Sequence, residues 1–416
     1  MNFFKYIAFL IASFYIAFEA VYTYTSIDRL YEFIFFLFIY SSYRADLKTN
    51  KVIELTSKLL MIFLLLIVLR MFTIFIVSSE LEFTLIRDFV RVFFMLFYFY
   101  IVYYLISKNF KILYLIVGLN FLIMLAAFFE ADITPLTDET WEFKYTYFKA
   151  NSMGFEDTVT FRKRVIGLYA TAIPLAYILA SNMVITLYLY IKNENLIFVL
   201  YFFMLGMIAI FTQTRSVLLS WIVLFIYLIY IHLFKGSFFR RIMTIGLMVI
   251  AIFSGGNFYL NNTEFTEQLN RVSNVDDDSA QGRGPLMLTG LYTVLKHPFG
   301  HTKDDYTANK EEIYVVSNNL DVLKFPAHNG LLSIGFKYTI FGIIIFFIYL
   351  LLMRNIVHKY LPSKYKAFFT VSFIAYLLNG FFHNNFLFVE DFYALIIIAI
   401  IAYEYQLSRK GNLDEV

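Results

Sequence analysis

The chain contains no cysteine, which excludes disulfide bonds, thiol catalysis and thiolate metal sites. Charge is also scarce. Only 16% of the 416 residues are Asp, Glu, Lys or Arg, against about a quarter in soluble globular domains. The two signs nearly cancel, with 34 basic and 31 acidic residues giving a formal charge of +3, and no basic domain or stripe gathers them. Nucleic-acid binding therefore has no support. Linkers rich in Gly, Ser or Pro are missing, and no internal repeat stands out.

What fills the chain is apolar: 60% of residues are hydrophobic and 21% aromatic. That excess excludes a water-soluble enzyme, a disordered protein and a coiled coil. The apolar runs are long and unbroken, which excludes a porin-type barrel with its short alternating strands. A spanning helix needs roughly 20 apolar residues, so about 12 spans would use roughly 240, close to the hydrophobic content. The expected fold is all-α, a single polytopic membrane domain of about 12 transmembrane helices with short helices in a large outer loop.

The apolar runs place these spans near 3–22, 30–43, 57–78, 85–107, 111–130, 166–190, 196–212, 216–234, 242–260, 331–352, 366–382 and 391–407. The first has no small-residue cleavage pattern after it and reads as a retained span rather than a signal peptide. One set of connections collects Arg44, Lys48, Lys51, Lys108, Lys111, Lys192, Lys235, Arg240, Arg241, Arg354, Lys359, Lys364, Lys366, Arg409 and Lys410, while the opposite short loops offer only Arg29, Arg87 and Arg215. By the positive-inside rule both termini are cytoplasmic. Two long segments, 131–165 and 261–330, then fall on the outer face. Connections of that length are usually functional or disordered. The second holds a helix expected to open at Gly284-Pro285 and run to Lys296, with Leu286, Leu288, Leu291, Val294 and Leu295 as its apolar face.

Three outer-face residues could carry chemistry. Arg215, in Thr212-Gln213-Thr214-Arg215-Ser216, sits where one span ends and the next begins. It is either a snorkelling interfacial arginine or a bidentate clamp for an anion. Arg283, in Gln281-Gly282-Arg283-Gly284-Pro285, immediately precedes the expected loop helix. It is either a solvated partner of Asp276, Asp277 or Asp278, or part of a diphosphate site at a helix N-terminus. His328, in Pro326-Ala327-His328-Asn329-Gly330, stands where the long loop returns to the membrane. It is either structural or a general base with a suitably near-neutral pKa.

Other residues carry weaker signals. His297 and His301 are candidates for shape or substrate contact, His383 is a further outer-face histidine, and His232 and His358 fall on the cytoplasmic side. The Asp276–Asp278 run is either a divalent-metal site or a solvated turn. Charges within early spans (Arg70, Arg87, Asp88 and Arg91) either pair between helices or line a pathway. No metal-ligand spacing and no nucleotide-binding loop is evident, so neither metal nor cofactor is expected.

Four motifs in this order resemble the O-antigen ligase and polymerase family of bacterial envelope glycosyltransferases. They are Arg164-Val165-Ile166-Gly167, Thr212-Gln213-Thr214-Arg215, Gly282-Arg283 followed by His297-Pro298-Phe299-Gly300, and Ala327-His328-Asn329 followed by Phe341-Gly342. The sequence departs from the pattern at Thr339, where the family has a glycine. A change of helix geometry near His328 is the expected consequence.

The resemblance implies an inverting, metal-independent transfer from an undecaprenyl-pyrophosphate-linked glycan to an acceptor hydroxyl, in the cytoplasmic (inner) membrane with the site facing the periplasm. It implies His328 as base, Arg215 and Arg283 at the pyrophosphate, Arg164 in the same cluster, and Asn329 and His301 as substrate contacts. The acceptor would be another lipid-linked repeat, as in a surface-polysaccharide polymerase, or lipid A core, as in a ligase. Membrane lipids and a polysaccharide chain-length regulator are the other partners implied. A lipid-linked oligosaccharide flippase is the alternative from another class, although internal repeats common in transporters are not evident.

Overall fold

The computed structural model describes residues 50–78, 83–132, 172–212, 214–235, 237, 241–242, 283–324, 329–381 and 392–411. The expected spans at 3–22 and 30–43, most of that at 242–260, most of the segment 131–165, and Arg164, Asp276–Asp278, His328 and His383 lie outside the described residues. Every regular element among the described residues is helical. The chain divides into two compact units, the first holding 25–112 and 275–416 and the second 113–274.

In the first unit, α1 (Lys51–Ser78) and α2 (Phe83–Lys108) begin the described part. Residues 113–274, in the second unit, contribute α3 (Ile112–Asp132), α4 (Ala172–Asn193), α5 (Ile197–Phe211) and α6 (Arg215–Tyr230), which ends in a π-helical turn, Ile231–Lys235. The first unit resumes with α7 (Arg283–Lys296), α8 (Lys303–Ser317), α9 (Asp321–Lys324), α10 (Gly330–Tyr360), α11 (Ser363–Phe381) and α12 (Phe392–Gly411). Among the described residues, Lys51–Ser78, Leu85–Lys108, Arg215–Phe234 and Gly330–Tyr360 are long and apolar enough to cross a bilayer. A membrane protein is the reading this supports.

The first unit is built on α1 and α10 running antiparallel. Lys51 Nζ donates to the Tyr360 hydroxyl at 3.0 Å, Thr56 meets the Tyr349 hydroxyl at 3.2 Å, and Phe63 stacks on Tyr338 at 4.1 Å. Asn50 starts α1, its Oδ1 accepting from Val52 N–H at 3.1 Å, while its Nδ2 donates to the Ala402 carbonyl at 2.8 Å and ties that end to α12. Pairing buried polar groups in this way matters most where water is excluded. At the far end of α10, His358 and Lys359 complement the helix dipole and Pro362 follows the stop.

The change of helix geometry expected from Thr339 takes the form of an interruption of α10. The helix breaks there: Tyr338 has φ −119° and ψ 15°, and Thr339 has φ 65° and ψ −179°. That region of backbone space is essentially reserved for glycine. The glycine of the resembled pattern would therefore supply conformational freedom at this position. The Tyr338 side chain folds back over Gly342, where no Cβ stands in its way.

Candidate functional site

The sequence read the segment 261–330 as one outer loop with one helix; its described part carries three. The first, α7, is already helical at Arg283, where its described part begins, and ends at Lys296 as expected. The second, α8, has a capping box: the Thr302 hydroxyl accepts from Asp305 N–H, and the Asp305 carboxylate accepts from Thr302 N–H at 2.8 Å. Burial raises the Asp305 carboxyl, but hydrogen bonds from Thr302 outweigh it and hold the group below the usual carboxylate range. Asn318, in the left-handed region at φ 51°, closes this helix. The two helices are braced by Glu312, which accepts from Lys296 Nζ at 2.7 Å and from the Tyr292 hydroxyl at 2.6 Å.

Between α7 and α8 the chain turns through Gly300, at φ 125°, and His301. Here the structure brings in a residue that sequence reasoning left undecided, Arg70 of α1. Its Nη2 donates to the His301 carbonyl at 3.4 Å, and its Nη1 donates to the Phe336 carbonyl on α10. One buried guanidinium thus joins a spanning helix, the loop corner and the turn of α10 just before its break. Of the two readings for the early charges, Arg70 serves connection between elements. Asp88 does likewise, accepting from Lys337 Nζ at 3.4 Å.

The His301 ring is buried against Phe336, edge-on at 5.1 Å between centroids, and beside Tyr306 at 5.9 Å. Burial, and then the Arg70 guanidinium, push its pKa down to about 3, so the imidazole is neutral at pH 7. His297 stands 3.9 Å from Asp305.

Asn329 caps α10. Its Oδ1 accepts from Leu331 N–H at 2.9 Å and from Leu332 N–H at 3.2 Å, and its Nδ2 faces Met287 Sδ at 3.9 Å. The residue immediately before this cap is His328. Arg283 stands at the start of the described part of α7. Arg283, His301 and Asn329 thus belong to one unit.

Arg215 belongs to the other unit, where it is half-buried and is the first residue of α6. The residues before it are folded locally: the Thr212 hydroxyl donates to the Ala209 carbonyl at 2.8 Å and the Thr214 hydroxyl to the Thr212 carbonyl at 3.3 Å. In the same unit, the buried His232 is hydrogen-bonded to the Tyr190 hydroxyl at the π-helical turn. Among the described residues no group of three or more His, Asp or Glu side chains could hold a metal ion.

Of the two arginines expected to hold an anion, Arg215 is the first residue of α6, and Arg283 stands at the start of the described part of α7. The N-terminus of a helix already carries a partial positive charge, so a cation there is disfavoured unless an anion is bound.

Residues 199–347 match the family described as O-antigen ligase. This stretch contains Arg215, Arg283, His301, His328 and Asn329, whereas Arg164 precedes it. No curated protein and no solved structure matches the chain. The resemblance drawn from the motifs is borne out in that region, and it supports a membrane glycosyltransferase of the O-antigen ligase or polymerase type.

Proposed function

We propose that the protein is an inverting glycosyltransferase that moves a glycan from undecaprenyl pyrophosphate to a sugar hydroxyl on the outer face of the cytoplasmic membrane. The observation that carries this reading is the family match over residues 199–347, which takes in Arg215 at the first residue of a helix together with Arg283 and His328. In the reaction the acceptor hydroxyl attacks the anomeric carbon, and His328 takes the hydroxyl proton. The bond from that carbon to the diphosphate breaks, and undecaprenyl pyrophosphate departs with the electron pair. Arg215 and Arg283 bind the diphosphate oxygens and stabilise the charge that develops on them. Arg164 is a further cation of the same kind. His301 is a further substrate contact in this reading, and Asn329, the residue after His328, sets the start of α10.

A repeat-unit polymerase is the first form of this reading, with a second lipid-linked repeat as acceptor. The matched family, O-antigen ligase, favours a second form, in which lipid A core is the acceptor. The chemistry is the same in both.

The test uses purified protein and an undecaprenyl-pyrophosphate-linked repeat unit as sole substrate, with products resolved on a gel. A ladder lost in His328→Ala, with donor binding retained, supports the polymerase and its base. Product only after lipid A core is added makes it a ligase. Transfer unchanged in His328→Ala removes the base assignment, and transfer abolished by a chelator of divalent metals removes the metal-free mechanism. Silence with both acceptors, accompanied by flipping of the lipid-linked donor, replaces the enzyme with a transporter.

A further inference from the structure

The apolar face expected for α7 does not behave as one face. Leu286 and Val294 are buried, Val294 against Gly335 of α10, but Leu288, Leu291 and Leu295 point outwards. Leu291 keeps 42% and Leu295 60% of its surface exposed, whereas Val294 keeps 1%. The three outward leucines are spaced i, i+3 and i+7, which aligns them along one side of a helix. This stripe carries no charge. The polar edge of α7 lies elsewhere, at Tyr292 and Lys296, and is occupied by Glu312 of α8.

The stripe does not stop at the end of α7. Phe299, with 62% of its surface exposed, lies beyond it with its ring 5.6 Å from that of Phe341 on α10. From Phe341 the exposed side of α10 continues through Ile344 and Ile348, again at i, i+3 and i+7. This helix is long and apolar enough to cross a bilayer, so its exposed apolar side has hydrocarbon as its natural surroundings. An uncharged stripe continuous with a spanning surface shares those surroundings, and a patch of this kind left in water would be unusual.

We infer that α7 is a membrane-embedded helix of the outer leaflet, with Leu288, Leu291, Leu295 and Phe299 in contact with lipid acyl chains. The bilayer, rather than the aqueous periplasm, is the partner of this side of the long outer segment. Amphipathic helices at an interface are held in this way, the apolar side sunk to the acyl boundary. The consequence is that Arg283, at the start of α7, is held close to the headgroup level of the membrane.

The absence of native cysteine makes the test direct. Single cysteines at Leu288, Leu291 and Leu295 are labelled with a nitroxide, and the full chain is reconstituted in vesicles of phosphatidylethanolamine and phosphatidylglycerol. Collision of each label with oxygen, which concentrates in hydrocarbon, is compared with collision with a water-soluble nickel chelate. Thr307→Cys on the exposed side of α8 supplies the aqueous reference. Oxygen collision exceeding chelate collision at the three leucine positions, and the reverse at position 307, is the expected result. Chelate-favoured collision at the leucine positions overturns the proposal, because the stripe is then in water. Low collision with both reagents also overturns it, because the stripe is then covered by protein. Neither readout depends on the identity of the sugar or on transfer activity, so failure here is distinct from failure of the enzymatic reading.

Discussion

The guanidinium of Arg70 donates a 3.4 Å hydrogen bond to the main-chain carbonyl of His301, 231 positions further along the chain. The same side chain reaches the Phe336 carbonyl on α10. An arginine buried in a spanning helix is costly unless it is paired, and here two carbonyls from different elements accept from its Nη1 and Nη2. The corner between α7 and α8 is thereby fixed to the helix pair on which the unit is built.

Gly300 is part of the same contact. Its φ is 125°, and a Cβ added there would stand 2.8 Å from Arg70 Cγ. Gly300→Ala should destabilise the protein by more than about 1 kcal/mol, through backbone strain and displacement of Arg70. Arg70→Lys should cost about 1.5–3 kcal/mol, since an ammonium cannot span both carbonyls as the planar fork does. Thermal unfolding in detergent of both single variants and the double variant provides the check. Costs that add without coupling would mean the two residues act separately.

The break in α10 predicts an unusual result at Thr339. Holding a β-branched residue at φ 65° and ψ −179° costs about 1–3 kcal/mol. Replacement by glycine ordinarily destabilises a helix interior by roughly 0.5–1 kcal/mol. Here Thr339→Gly should raise the unfolding temperature, while Thr339→Val keeps the strain and should not. A glycine variant less stable than the parent would show that the threonine is not strained.

These two sites show what was legible in the sequence. Long apolar runs declared α1, α2 and α10, and Gly284-Pro285 with Lys296 marked α7. Such signals are local. Arg70 was visible only as an undecided charge, because its partners are main-chain carbonyls far along the chain that leave no trace in side-chain identity. The helix α8 was missed although Thr302 and Asp305 form its capping box. It buries little more than Asn309 and Ile313, so it has no apolar period to read. The five apolar residues expected on one face of α7 cannot share it, because residues two apart on a helix, such as Leu286 and Leu288, point to nearly opposite sides; Leu286 and Val294 are buried, whereas Leu288, Leu291 and Leu295 are exposed.

His301 should give the protein an acid-sensitive step. Its folded pKa of about 3 lies below the ordinary value of 6.5, so between these values the unfolded chain binds more protons. Stability is then fully present above pH 6.5 and is lost as pH falls towards 3, with a slope of at most about 1.4 kcal/mol per pH unit from this group. Arg70 and His297 push the charged imidazole away, while Asp305 favours it. Unfolding temperatures of the parent and His301→Gln should converge as pH falls from 7 to 5. An equal fall in both would assign the acid sensitivity to other groups.

Asn329 offers a way to separate structure from substrate contact at the residue beside His328. Its Oδ1 is committed to the Leu331 and Leu332 N–H groups, a cap that removal to alanine usually costs about 1 kcal/mol. Asn329→Ser keeps an oxygen able to cap but shortens the side chain and removes its amide. If Asn329 acts only by setting the start of α10, Asn329→Ser should retain both the unfolding temperature and the transfer rate, and Asn329→Ala should lose both. If the amide touches the glycan, Asn329→Ser should keep the unfolding temperature and raise KM for the lipid-linked donor or the acceptor. The geometry favours the first outcome, because the side-chain oxygen is already occupied and the amide nitrogen faces Met287. A stable serine variant with a raised KM would restore Asn329 to the substrate-binding set and move the glycan to within hydrogen-bonding distance of the first turn of α10.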